Sequence, residues 1–312
     1  MAHTDIDAII QTLERFLLGK RRKLEYAVAC LMAEGHLLIE DVPGVGKTTL
    51  AKSLANCIDG EFKRVQFTSD LLPSDLIGVT VFHQSTGQFE FQPGPIFTNV
   101  LLADEINRAN PKTQSALLEA MHDAQVSHDG KTSLLPDPFF VVATQNSQDH
   151  HGTFPLPESQ LDRFLMRIHL GYPEREFEKR VHSGNYETSF KGLARVDRTV
   201  LKGYQQQVRA VHVAPDVLEY IYQIVVASRE HPGVTVGVSP RGGQALYRAS
   251  QGLAFIRGRD FVLPDDIHEL VGMVLGHRIL LKSNQFRGSD GHDPANKVFE
   301  EILESLVHSV PR

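Results

Sequence analysis

The chain has 312 residues, 41% of them hydrophobic, and a net charge of −6 from 32 Lys and Arg against 38 Asp and Glu. That length suits two domains, or one with a large appendage, and the composition suits a globular protein with a sizeable core. The acidic balance argues against non-specific nucleic-acid binding, two cysteines (Cys30 and Cys57) exclude a disulfide framework, and no apolar run approaches the ~20 residues of a membrane-spanning helix.

In chain order, Met1–Asp5 has no signal-peptide form, so a cytoplasmic protein is expected. Residues 5–34 carry apolar residues at helical spacing in two runs, Ile6 to Leu17 and Leu24 to Met32, which predict two helices. Between them Lys20-Arg21-Arg22-Lys23 reads as a solvated helix start, with a basic face toward nucleotide or a neighbouring subunit as the alternative. His36–Glu40 is a short apolar run between Gly35 and a Gly/Pro loop, the pattern of a buried parallel strand. A helix is expected from about Lys47 to Cys57, then strands at 62–67, 99–103, 139–144 and 164–170. Asn110-Pro111 predicts a capped helix through Ala124. This alternation implies a parallel sheet covered on both faces. Two insertions interrupt it. Residues 79–82 and 88–91 suit one hairpin, across Ser85-Thr86-Gly87, and 125–137 suit a second, turning at Asp129-Gly130. After Tyr172-Pro173 the strand signal stops, and from Leu201 onward the pattern is helical. The expected division is an α/β domain at 1–190 and a helical lid at 191–312, with the seam in the polar stretch near 185–198.

The chemistry begins at Pro43-Gly44-Val45-Gly46-Lys47-Thr48-Thr49. Two glycines let backbone amides turn around phosphates, Lys47 suits the β- and γ-phosphates, and the Thr48 hydroxyl suits Mg²⁺. The helix that follows adds its positive end. The first glycine of the usual P-loop spacing is replaced by Asp41, which must point away from bound phosphates. Val100–Asp104 is an apolar strand ending in Asp104-Glu105. There Asp104 suits the metal of an ATP bound next door, and Glu105 suits a water-polarising role. Phe139–Asn146 ends in Thr144-Gln145-Asn146, which places Asn146 within reach of a γ-phosphate, with Thr144 and Gln145 as alternatives. Arg163 precedes a strand and is expected near the sheet's C-terminal edge; Arg108 and Arg167 are its rivals as a transition-state arginine. Fifteen histidines, His150-His151 among them, lack the spacing of a zinc site.

The P-loop, Leu101–Arg108 (LLADEINR), Ala143–Asn146 (ATQN), Leu156–Phe164 (LPESQLDRF) and Thr113–Met121 (TQSALLEAM), in this order, resemble the MoxR family of AAA+ ATPases over roughly residues 5–280. The resemblance implies a P-loop AAA+ three-layer sandwich, sheet order 5-1-4-3-2, followed by an all-α lid. It makes the first hairpin an insertion in helix 2 and the second a pre-sensor-1 hairpin, both near the pore of a ring. It makes Asn146 sensor 1, Arg163 the arginine finger and Arg241, in Ser239-Pro240-Arg241-Gly242, sensor 2. ATP/ADP and Mg²⁺ are the implied ligands. A hexameric ring, chaperone-like maturation of other proteins including metal-centre insertion, and partners with a von Willebrand factor A domain are the implied associations.

Two other readings use the same motifs. A nucleic-acid motor calls for basic hairpins, but 70–97 contains no Lys or Arg and 125–137 only Lys131. A non-hydrolysing switch has no use for Asp104, Glu105 and Asn146 together. Phe89 and Phe91 on the first hairpin are either core residues or substrate contacts.

Overall fold

The computed structural model describes residues 2–85, 87–146, 153–184, 189–190, 193–282 and 294–306. The expected His150-His151 loop, Thr86 and much of the 185–198 seam lie outside these residues. The chain opens with helices α1 (Ala2–Phe16) and α2 (Arg21–Met32), then β1 (Leu37–Glu40), α3 (Lys47–Cys57) and β2 (Phe62–Gln66). Next come a short helix α4 (Pro73–Ile77) and the hairpin β3 (Gly78–His83) with β4 (Gln88–Pro93). Strand β5 (Val100–Asp104) leads to α5 (Pro111–Asp123), the hairpin β6 (Gln125–His128) with β7 (Lys131–Leu134), and β8 (Phe140–Gln145). A short α6 (Glu158–Leu161) precedes β9 (Met166–Ile168) and α7 (Arg175–His182).

Five of these strands form one sheet in the order β2-β5-β8-β1-β9, with every pair parallel. Numbering only the sheet strands, this is the expected 5-1-4-3-2. The central strands β1, β5 and β8 are nearly continuous apolar runs because both faces are covered, while the edge strand β2 carries Lys63, Arg64 and Gln66. Leu37 and Ile39, Val100 and Leu102, Phe140 and Val142 share one core with α1, α2 and α3. Leu38, Leu101, Ala103, Val141 and Ala143 alternate to the other face, against Leu117, Leu118 and Met121 of α5. Asn110 caps α5 as its sequence predicts, accepting from the amides of Lys112 and Thr113 at 3.1 Å each. Both expected hairpins form, with Phe82 opposite Phe89 in the first and His128 opposite Lys131 in the second.

The C-terminal part comprises α8 (Arg198–Arg209), α9 (Pro215–Glu230), β10 (Val234–Val236), α10 (Pro240–Ile256), α11 (Pro264–Leu275), β11 (Leu280–Leu281) and α12 (Pro294–Leu306). Among its described residues it is helical apart from a short antiparallel ladder between β10 and β11 and an isolated bridge between His212 and Phe261. These strands are too short to show a period of two, so the sequence pattern missed them.

The lid packs against α2, behind the sheet. Gly252 of α10 comes so close that an added Cβ would sit 2.6 Å from the Ala29 carbonyl oxygen. Gln205 donates to the Leu31 carbonyl at 3.0 Å, and Arg248 to the Ala33 carbonyl at 2.6 Å. The buried apolar residues of α8–α12 are continuous with those of α1–α3.

Candidate nucleotide site

The P-loop joins the C-terminal end of β1 to α3. Gly44 and Gly46 have φ of +88° and +100°, a region that L side chains rarely adopt. A Cβ on Gly44 would meet nothing within 4 Å, so the loop faces open space there. Gly46 is the N-cap of α3 and supplies no side-chain cap, leaving the first-turn amides to an incoming anion. Lys47 Nζ rests 2.7 Å from the Asp41 carbonyl oxygen. Burial lowers the Lys47 pKa, and the nearby Asp104, Asp41 and Glu105 carboxylates oppose that shift. An ammonium is thus held, partly desolvated, beside open space at a helix start.

Asp41 is turned away from the loop mouth. Its Oδ2 accepts from the Gly171 amide at 2.7 Å and its Oδ1 from the Val42 amide at 3.1 Å. Its charge is spent on fixing the segment after β9, which removes the conflict raised by its place in the motif. Lys20 joins the same junction. Its Nζ donates to the carbonyls of Leu170 at 2.8 Å, Gly171 at 3.0 Å and also Tyr172. The expectation that this basic run merely solvates a helix start therefore fails at Lys20, which ties the start of α2 to the end of β9.

Asp104 ends β5, two strands from β1 with β8 between them. Glu105 follows with φ +56°, an uncommon conformation for a residue with a Cβ. The buried Thr144 hydroxyl joins the two carboxylate residues. It donates to Asp104 Oδ1 at 2.6 Å and accepts from the Glu105 amide at 2.9 Å. Asp104 Oδ2 also accepts from Arg64 Nη2 at 2.6 Å and Nε at 3.1 Å. Glu105 Oε2 accepts from Gln66 Nε2 at 2.8 Å and pairs with Arg108 Nε at 3.0 Å. Arg64 and Gln66 escaped the sequence reading, although their alternation on β2 puts both on one face of that strand. Asn146 directly follows β8 and lines a pocket of about 290 Å³ with Glu40, Asn107, Gln145 and Arg167. Arg167 pairs with Glu40 at 3.2 Å, so that rival arginine is bound to the strand that leads into the P-loop. The P-loop, Asp104, Glu105 and Asn146 thus meet at one edge of the sheet. A lysine, a hydroxyl at Thr48 and a carboxylate at Asp104 on that edge are the donor set that Mg²⁺ with a triphosphate requires.

Arg163 and Arg241 are elsewhere. The Leu165 amide donates to the His36 carbonyl at 2.8 Å, and Met166 is in register with Leu37. Arg163 therefore lies beyond the start of β1, at the N-terminal edge, and the expectation of the C-terminal edge is wrong. In a parallel sheet a residue that precedes a strand is at the edge opposite to the one where strands end. The run from His36 to Asp41 spans about 16 Å by strand rise. Arg163 is exposed and donates from Nη1 to the Leu118 carbonyl. Arg241, also exposed, begins α10 after the Ser239 cap. Both arginines line one pocket of about 390 Å³, together with Arg248, Arg278 and Gln244.

Residues 36–166 match the model of the ATPase family associated with various cellular activities (AAA), and residues 226–301 match the AAA lid domain. Chaperone MoxR1 of Mycobacterium tuberculosis is 37% identical over 99% of this chain and 85% of its own length. The chain belongs to the MoxR family of AAA+ ATPases. Protein MoxR of Paracoccus denitrificans is 31% identical over 86% of each chain, and YeaC of Bacillus subtilis is 45% identical over 99% and 97%. The crystal structure of a candidate ATPase from Cytophaga hutchinsonii superposes on this MoxR-family chain with a TM-score of 0.87, at 36% identity, covering 97% and 94%. Among the described residues, no helix is long and apolar enough to cross a membrane.

Proposed function

We propose that this MoxR-family chain hydrolyses ATP at sites shared between neighbouring copies in a ring, and uses the cycle to remodel or mature other proteins. One observation carries the reading. The P-loop and the carboxylates occupy one edge of the sheet, while the exposed Arg163 and Arg241 share a pocket at the opposite edge. A single chain offers half a site at each edge, and a head-to-tail ring brings the two halves together.

Within that site the amides and Lys47 of the 43–49 loop hold the phosphates of ATP or ADP. Thr48 and Asp104 are the residues that would hold Mg²⁺, which supplies charge neutralisation on the phosphate oxygens. Glu105 orients and polarises the attacking water, and Asn146 contacts the γ-phosphate or that water. Arg163 and Arg241 reach the neighbour's nucleotide and stabilise the charge that develops on its γ-phosphate. Residues 1–190 serve as the nucleotide-binding body and 191–312 as the lid. A hexamer is the assembly expected.

The chaperone reading draws on the name of the Mycobacterium tuberculosis relative. It also suits the first hairpin, where Phe82 and Phe89 pack at a tilt with ring centroids 5.0 Å apart and are 50% and 74% exposed. That exposed aromatic pair, on a hairpin without Lys or Arg, suits a polypeptide better than a phosphate backbone. Phe91 instead stacks on His128 of the second hairpin with centroids 3.5 Å apart, which joins the two insertions. A partner with a von Willebrand factor A domain and a role in metal-centre insertion belong to the same proposal, as does a cytoplasmic location.

The test is Glu105→Gln. ATP binding is expected to persist while turnover falls by about a hundredfold or more, and the stalled protein should retain its client in a pull-down with ATP. Wild-type turnover in this variant would remove Glu105 from the proposed site.

A further inference from the structure

Arg278 follows α11 in a single turn, Gly276–Arg278, and only 7% of it is exposed. It reaches from the lid onto residues 162–165, which include Arg163. Nε donates to Asp162 Oδ1 at 2.6 Å, and Nη2 to the carbonyls of Asp162 at 3.1 Å and Phe164 at 2.7 Å. The neighbouring His277 places Nε2 3.0 Å from the same Phe164 carbonyl. Nη1 turns back to the Val274 carbonyl at the end of α11, which anchors the guanidinium to its own helix. On the other side, the start of α10 rests on the Arg278 stem. A Cβ added to Gly242, next to Arg241, would lie 3.1 Å from Arg278 Cδ and 2.5 Å from Val238 Cγ1. One buried side chain therefore touches the segment of Arg163 and the helix start of Arg241 at once.

We propose that Arg278 is a positioning residue that fixes Arg163 and Arg241 relative to each other, so that the placement of the lid sets their reach toward the neighbouring copy's nucleotide. The inference rests on the reading of those two arginines given above. The physical ground is the planar fork. A guanidinium bonds a carboxylate and two carbonyls in fixed directions, whereas a lysine keeps the charge and loses the geometry. A shift of about 1 Å in a group that stabilises a transition state costs about a hundredfold in rate.

The experiment uses Arg278→Lys in the full chain. Turnover is expected to fall by about a hundredfold, with the affinity for ATP unchanged because the P-loop belongs to the opposite edge. The decisive arm is subunit mixing. Arg278→Lys subunits retain an intact P-loop and carboxylates, and Glu105→Gln subunits retain an intact arginine pair. An equal mixture of these two slow proteins should recover about a quarter of the wild-type rate, the share of interfaces in a randomly mixed ring that join the two intact halves. A defect confined to folding or to the chain's own P-loop would give no recovery. Asp162→Asn, which keeps the shape and one carbonyl acceptor, gives the same test should Arg278→Lys unfold.

Arg163→Ala mixed with Glu105→Gln is the reference. If that mixture recovers and the Arg278→Lys mixture does not, Arg278 is a structural staple and the inference falls while the reading of Arg163 stands. If the reference itself fails to recover, both fall.

Discussion

Arg64 of β2 covers Oδ2 of Asp104. Its Nη2 is 2.6 Å from Asp104 Oδ2, while the other carboxylate oxygen is fixed by Thr144 at 2.6 Å. With the Lys47 ammonium nearby, the carboxylate is neutralised from inside the chain. On the proposed role of Asp104, a divalent cation arriving with ATP would compete with Arg64 for that oxygen. The Arg64 side chain is half exposed, so the pair is worth little and gives way readily.

Arg64→Ala is accordingly expected to lower the Mg²⁺ concentration at half-saturation of nucleotide binding by about two- to fivefold. Titrating Mg²⁺ against a fluorescent ATP analogue reads this directly. A midpoint that rises, or stays put, would mean that Arg64 assists the metal or ignores it.

Thr144→Val removes one hydroxyl that serves two partners. The Glu105 amide and Asp104 Oδ1 both lose their bond in a fully buried place, at a cost of about 1–3 kcal/mol in stability. Glu105 has a positive φ at that point, so its backbone is expected to relax once the hydroxyl is gone. Turnover should fall by about tenfold or more while ATP affinity changes little. Steady-state kinetics beside a denaturant melt separate the two effects.

Acid should weaken the fold through His36. The ring is buried between β8 and the end of α5, with Nδ1 accepting from the Val141 amide at 3.1 Å and Nε2 on the Met121 carbonyl at 3.0 Å. Burial lowers its pKa from 6.5 to about 4, with the Met121 carbonyl opposing and Arg248 adding to the shift. The unfolded chain therefore binds this proton first, and stability present above pH ~6.5 is lost as pH falls toward the folded value, by up to about 3 kcal/mol. His277, also buried and lowered, acts in the same sense. Urea midpoints at pH 7.5, 6.5 and 5.5 should fall in the wild type and fall less steeply in His36→Gln. Parallel slopes would assign the acid loss to other groups.

Much of the fold was legible because its signals are local. Strands β1, β5 and β8 are apolar runs that end in polar residues, and Asn110, Pro111 and the two hairpin turns are set by their own backbone preferences. The P-loop, Asp104, Glu105 and Asn146 could be brought together on paper because residues at the ends of parallel strands share an edge. The same rule read in the wrong direction misplaced Arg163, which precedes a strand. The position of the lid was not legible. It depends on pairs far apart in sequence, such as Gly252 with Ala29 and Arg248 with Ala33, that leave no periodic trace. Arg64, Gln66 and Arg278 were passed over because an isolated charged or polar residue has the same appearance in a sequence whether it faces water or a carboxylate.

The central claim is that one chain holds only half a hydrolytic site at each edge of its sheet. The most direct test is turnover per subunit across a dilution series, with the molecular mass followed by sedimentation in the same ATP and Mg²⁺. The account predicts that dissociated chains still bind ATP but turn it over about a thousandfold more slowly than assembled ones, the loss expected when a transition-state arginine is withdrawn. Full turnover by chains that sediment as monomers would contradict it.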